Sequence, residues 1–372
     1  MPRSATLAKS STLPEFVALD MTNTRLTSNS IEVTDALEAI ETYFENGWSD
    51  GLPVVPPTPE AVTAMLEAAN LAPDDILGVE PVKGAVITAE KAAINAVMAG
   101  CKPEYMPVVV AAVEAMTQPE FNLHGITVST MGAAILLIVN GPIVKELEIN
   151  SGVSVFGPGH RANATIGRAI RLIVMNVLGT SSVDGLDKGT LGHPGKYSWC
   201  IAEREDRLPW EPLHVTRGLD ESDSSVTVFS GLSGTPFGEH EANTPERILD
   251  AFAQRLYPLG PGFGEVIIVI CPEHAAHFAR EGWNKKQVQN YLFETARKTT
   301  SEWAAMGLPS STRDEADNDS EKADEILNLL ASPDSIIPIV AGGDGGAWSM
   351  VIPAWGAGKR STAVTRKINT NG

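Results

Sequence analysis

The chain has 372 residues, 43% hydrophobic and 20% charged, with a formal net charge of -18. That length and composition fit two domains or one large α/β unit. So acidic a surface repels nucleic acid and anionic lipid, and neither is expected as a partner. The three cysteines, Cys101, Cys200 and Cys271, stand far apart with no CxxC pair. This argues against a disulfide framework and suits a reducing compartment. No apolar run reaches the length of a membrane span, and the N-terminus lacks the pattern of a secretory signal, so a cytoplasmic location is expected.

In chain order, residues 1–33 are rich in Ser and Thr without an apolar period and read as a mobile arm. An N-terminal α/β domain is expected over 34–190, and a C-terminal α/β domain over 191–372 with a mobile loop near 310–322. The first helix begins near Asp35 and ends at Gly47. The proline-dense segment Gly47–Thr58 follows, with Trp48 and Asp50 as candidate pocket-wall residues. Thr58 and Pro59 form a cap and first-position pair for the next helix.

Helices are expected from Thr88 to Met98 and from Pro103 onward, leaving Cys101 and Lys102 in the corner between them. A helix start and a neighbouring lysine both favour a thiolate there, against the plainer reading of a buried small hydrophobe. Gly125–Ser129 and Ala134–Val139 read as strands.

The segment Val153–Phe156 alternates like a strand and breaks at Gly157-Pro158-Gly159. After His160 and Arg161 a helical period takes over, with Asn163 or Thr165 as its cap. Gly157, Gly159, Arg161, Asn163 and Thr165 thus form a candidate anion-binding loop at a helix N-terminus. An ordinary strand-to-helix connection is the alternative. Neither a GxxxxGK[ST] nor a GxGxxG pattern is present. Lys196, in the glycine-rich stretch 180–196, joins the substrate-binding candidates.

Glu203, Glu205, Glu211 and His214, with Trp199 and Trp210, make a polar-aromatic cluster suited to acid–base work. Partly buried ion pairs among Glu203, Arg204, Glu205 and Arg207 are the duller account of it. No HExxH or HxH spacing appears. In the second half, Val226–Phe229 and Glu265–Ile270 read as strands, and helices start at Thr244 and Pro272. His274 and His277 on the latter read as solvated helix residues. A helix is expected over 323–330, then a hairpin between Ile336–Val340 and Trp348–Ile352.

The segments GWSDGLPVVPPT (Gly47–Thr58), AGCKPEYMPVV (Ala99–Val109), FGPGHRANATIGRA (Phe156–Ala169), GHPGKYSWCIAE (Gly192–Glu203) and PWEPLHV (Pro209–Val215) resemble those of a bacterial family. That family is similar to, or associated with, the UGSC-type selenoproteins. The resemblance implies thiol or selenol chemistry and a partner subunit. No UGSC-like or CGSC tetrapeptide occurs here, so it implies a partner more than redox chemistry within this chain.

The leading expectation is an enzyme acting on a small anionic metabolite, a carboxylate or a phosphate. Arg161, Asn163 and the helix N-terminus would hold the anion, Cys101 would act as nucleophile or thiol acid/base, and His160, His214 and Glu203 would move protons. One alternative is a lyase or hydrolase using a divalent metal held among His160, His193, His214, Glu203 and Glu205. Another is a subunit active only with a thiol- or selenol-bearing partner. A homo-oligomer is expected from the tryptophans and the proline-rich loop.

Overall fold

Along the strand Ala134–Asn140, Leu137 and Val139 face one hydrophobic cluster, and Leu136 and Ile138 face another. The strand Val266–Ile270 repeats the pattern, with Val266, Ile268 and Ile270 on one side and Ile267 and Val269 on the other. Strands apolar on both faces must be covered on both faces. The computed structural model, which describes residues 25–183, 185–311, 324–356 and 360–370, shows how this is met.

Twelve strands occur among the described residues. They are β1 (Ile76–Val79), β2 (Val86–Thr88), β3 (Ala134–Asn140), β4 (Cys200–Ala202), β5 (Ser225–Gly231) and β6 (Thr235–Gly238). There follow β7 (Val266–Ile270), β8 (Arg297–Thr299), β9 (Ile326–Asn328), β10 (Ile336–Val340), β11 (Trp348–Pro353) and β12 (Val364–Lys367). Two four-stranded mixed sheets, ordered β12-β5-β3-β4 and β10-β7-β11-β6, carry the fold. Their inner faces share one core containing Ile138, Phe229, Ile267 and Ile352. Helices cover each outer face: Ala89–Ala99, Met106–Met116 and Arg161–Leu178 on one, Pro245–Leu256, Pro272–Arg280 and Lys285–Thr295 on the other. The result is an α/β protein in four layers, helix–sheet–sheet–helix. Each fully buried Leu or Ile in these layers contributes about 1.5–3 kcal/mol.

The two sheets repeat one topology. In each, a central strand (β3, β7) pairs parallel with the strand reached through helix (β4, β10) and antiparallel with the next one (β5, β11). The chain then crosses over. From β5 it enters the other sheet as β6, and from β11 it returns to the first sheet as β12. Leu232 N donates to Pro353 O (2.8 Å) and Trp355 N to Ser230 O (2.7 Å) at the crossing. The expected seam at residue 190 therefore does not separate the sheets, since β4, β5 and β12 complete the sheet around β3.

Many local expectations hold. Thr58, Thr88, Thr244 and Asn284 cap helices through their side chains, and left-handed Gly100 ends the Ala89–Ala99 helix. Four expected elements differ. Val153–Phe156 is a turn, because the Asn150 side chain bonds Gly152 N and Val153 O and bends the segment before it can extend. The expected strand at Gly125–Ser129 is a helix, Leu123–Val128, capped by Asn122. The expected helix over 323–330 is strand β9, paired with β8. β10 and β11 form no hairpin, because β7 lies between them.

Of the expected N-terminal arm, residues 1–24 lie outside the described residues, as do 312–322 of the expected loop and residue 323 of the expected helix. Thr27 and Ser28 are tied to Glu90, whose carboxylate accepts both backbone N–H groups at 2.9–3.0 Å. No helix among the described residues is long and apolar enough to cross a membrane.

Candidate active site

The helix Arg161–Leu178 packs on the sheet of β3 and β4, and Gly167 makes the close approach feasible. A methyl group there would come within 2.6 Å of Trp199 N on the way into β4. The N-cap is His160, with extended backbone and no capping side-chain bond, so neither Asn163 nor Thr165 caps this helix. Asn163 is buried and fully committed. Its Oδ1 accepts from Asn150 N (2.8 Å), and its Nδ2 donates to Asn150 O (3.0 Å) and Cys200 O (3.1 Å). Thr165 donates to Arg161 O (2.8 Å). The first N–H groups of the helix are left without a side-chain partner, which is the arrangement that receives anions.

A cleft of about 1230 Å³ opens beside this helix start. Gly159, His160 and Arg161 line it together with Lys102, Glu203 and Glu205. Arg161 donates from Nε (3.1 Å) and Nη2 (2.9 Å) to Gly100 O, which leaves Nη1 outside this pair of bonds. His160 is exposed. The cleft lies at the carboxyl ends of the parallel strands β3 and β4, where open α/β sheets place ligands.

Below the cleft lies a buried polar network. Asn140, the last residue of β3, donates from Nδ2 to Glu203 Oε2 (2.7 Å) and to Glu205 Oε1 (2.9 Å). Leu213 N also donates to Glu203 Oε2 (2.7 Å), and Gly141 N to Glu205 Oε1 (2.8 Å). Glu203 is only 1% exposed, and burial pushes its carboxyl above the usual range, against the pull of Lys285, Leu213 N–H and Asn140. Its Oε1 has no partner, nor do Asn140 Oδ1 or either ring nitrogen of the fully buried His214. His214 Nδ1 stands 3.9 Å from Glu205 Oε1. Glu205 is the more exposed carboxyl on the cleft wall, its side chain 32% exposed. Buried polar atoms left unpaired cost of order 1–3 kcal/mol each and cluster where function requires them.

Other sequence candidates fall elsewhere. Cys101 is 6% exposed, and burial pushes its thiol up to about 12, opposed by the Thr165 hydroxyl and the Arg161 guanidinium. The expected thiolate is not favoured, because burial outweighs the Thr165 hydroxyl, the Arg161 charge and the helix start that follows. Iodoacetamide near pH 8 is accordingly expected to spare Cys101 until the protein is unfolded. Rapid labelling of the native protein, read by peptide mass spectrometry, would restore the thiolate reading.

Asp50 forms a bidentate ion pair with Arg168 (2.9 and 2.7 Å) and ties the proline-rich segment to the helix. Trp48 packs edge-on to Tyr43 and accepts from Asn176 Nδ2 through its carbonyl (2.9 Å). Lys196 pairs with Asp187 (2.6 Å). Gly157 lines a separate hollow of about 270 Å³ with Cys271 and Gly343. His193 is bonded to Gly231 O (3.2 Å) and packs against Trp199. Among the described residues no three His, Cys, Asp or Glu side chains are grouped to hold a metal ion.

Asn140 was not visible as a site residue in the sequence. Asn-Gly-Pro reads as a turn, and only its position opposite Glu203 gives it a role. Neither a known protein-family model nor a curated protein matches the chain.

Proposed function

We propose that the protein is an enzyme acting on a small anionic metabolite in the cleft beside the Arg161–Leu178 helix. The observation that carries this reading is Glu203, a buried carboxyl with an unpartnered oxygen, joined through Asn140 to Glu205 at the cleft wall. Carboxyl groups held in such different surroundings suit an acid and a base. Burial favours the protonated form of Glu203, which serves as the proton reservoir. Glu205 exchanges the proton with the substrate, and His160 stands exposed on the same cleft. Arg161 Nη1, Lys102 and the uncapped helix start receive the carboxylate or phosphate. Cys101 lies behind this wall and packs rather than reacts.

The test is a panel of carboxylate- and phosphate-bearing metabolites, followed by mass spectrometry for conversion. One compound class is expected to turn over, and Glu205→Gln to slow it by about 10²–10⁴-fold. Conversion that survives Glu205→Gln unchanged, or no conversion across the panel, sinks the reading.

A further inference from the structure

A second cleft, of about 670 Å³, is lined by Trp210, Arg217, Lys285 and Ile337 among others, and adjoins the acid–base network at Leu213 and through the pull of Lys285 on Glu203. Lys285 opens the helix Lys285–Thr295 and is only 9% exposed. Its ammonium makes a single long hydrogen bond, 3.4 Å to Thr216 Oγ1. Arg217 likewise makes one, from Nη1 to Ala363 O at 3.4 Å. Neither forms an ion pair among the described residues, whereas the neighbouring Lys286 is held by Asp334 at 2.8 Å. The indole N–H of Trp210 is buried without an acceptor.

Lysine is almost never buried unless paired, because an ammonium taken from water needs a counter-charge or full hydrogen bonding. Lys285 has three donors and one weak acceptor. Glu203 and Glu211 act on it only through space. The capping box between Asn284 and Gln287 does not engage the N–H groups of Lys285 and Lys286, so the positive helix end adds to the two cations. Lys285 and Arg217 feel Glu203, Glu211 and Glu265 only at a distance, so neither cation has an ion-pair partner in contact with it among the described residues, and the cleft has room for an anion from outside.

We propose that this cleft binds a small organic anion, its carboxylate or phosphate on Lys285 and Arg217 and its apolar body against Trp210 and Ile337. Arg217 supplies a planar fork for two oxygens, and Lys285 a point charge. The site does not rest on the function proposed for the Glu203–Glu205 cleft.

Calorimetric titration of the full chain with benzoate and with phenyl phosphate tests it, with benzyl alcohol as the uncharged probe. One anion is expected to bind one-to-one, the preferred probe identifying the head group, and benzyl alcohol to give no saturable heat. Lys285→Met and Arg217→Gln are each expected to weaken binding by about ten-fold or more. Arg217 is exposed, so its variant reads out even if Lys285→Met folds poorly. No saturable heat with either anion, or wild-type affinity in Arg217→Gln, overturns the proposal. Arg217→Gln leaves the Glu203–Glu205 network untouched, so failure in that variant leaves that reading standing.

Discussion

Glu203→Gln is expected to make the protein more stable near pH 8 while removing most of its turnover. Burial raises the Glu203 carboxyl, with Lys285, Leu213 N–H and Asn140 pulling the other way. The sign follows from linkage. Below about pH 4 the side chain is protonated in both the folded and the unfolded chain, and the substitution changes little. Above the unfolded value the unfolded chain ionises more readily than the folded one. Stability is lost as pH rises toward the folded value, at about 1.4 kcal/mol for each unit of displacement.

Glutamine keeps an oxygen for the Leu213 and Asn140 donors and has nothing to ionise, so that loss disappears. It also cannot release a proton, and turnover should fall by about 10²–10⁴-fold. Urea denaturation of both proteins near pH 4 and pH 8 measures the first effect. A variant that loses stability relative to wild type on going to pH 8 would show that the network needs an ionised carboxylate. Unchanged turnover would remove Glu203 from the chemistry whatever its effect on stability.

The second large effect is expected at Gly141, next to Asn140. Its φ of +87° lies in the left-handed region, and a methyl group there would overlap the carbonyl oxygen of Asp223. That oxygen belongs to the backbone and cannot swing aside. Gly141→Ala combines left-handed strain of about 1 kcal/mol with overpacking of about 1–3 kcal/mol. The total, about 3 kcal/mol, should appear as a lower denaturation midpoint. Gly141 N also donates to Glu205 Oε1, so turnover should fall with the shift of the turn. Gly218→Ala isolates the strain, because Gly218 has φ +90° and no atom within 4 Å of the added carbon. It should cost about 1 kcal/mol alone. Equal losses at the two positions would mean that the Asp223 contact carries no weight.

The same residues show how far local reading reaches. Thr58, Thr88 and Thr244 announce their helices because a cap is a contact over three residues. The apolar runs in β3 and β7 declare buried strands for a similar reason. Val153–Phe156 misleads because its alternation is right for a strand while the neighbouring Asn150 side chain folds it into a turn. Gly125–Ser129 misleads because the Asn122 cap outweighs its β-branched residues. The His160–Arg161 corner and Glu203 were legible as site candidates, being polar groups at element ends. Cys101 was read for its place in the sequence, but burial decides its chemistry.

The sequence by itself determined the α/β class, the helix starts at Thr58, Thr88 and Thr244, the doubly apolar strands and the acidic character of the chain. Tertiary structure alone decided the crossing of β6 and β12 between sheets, because strand pairing depends on partners more than a hundred residues away. It also decided which polar residues meet. Asn140 and Glu203 stand at the ends of β3 and β4, where the other sheet has Cys271 and Ala341. The pairing of two distant strands brings Asn140, Glu203, Glu205 and His214 into one buried volume. Only there do burial and mutual hydrogen bonding change what their side chains can do.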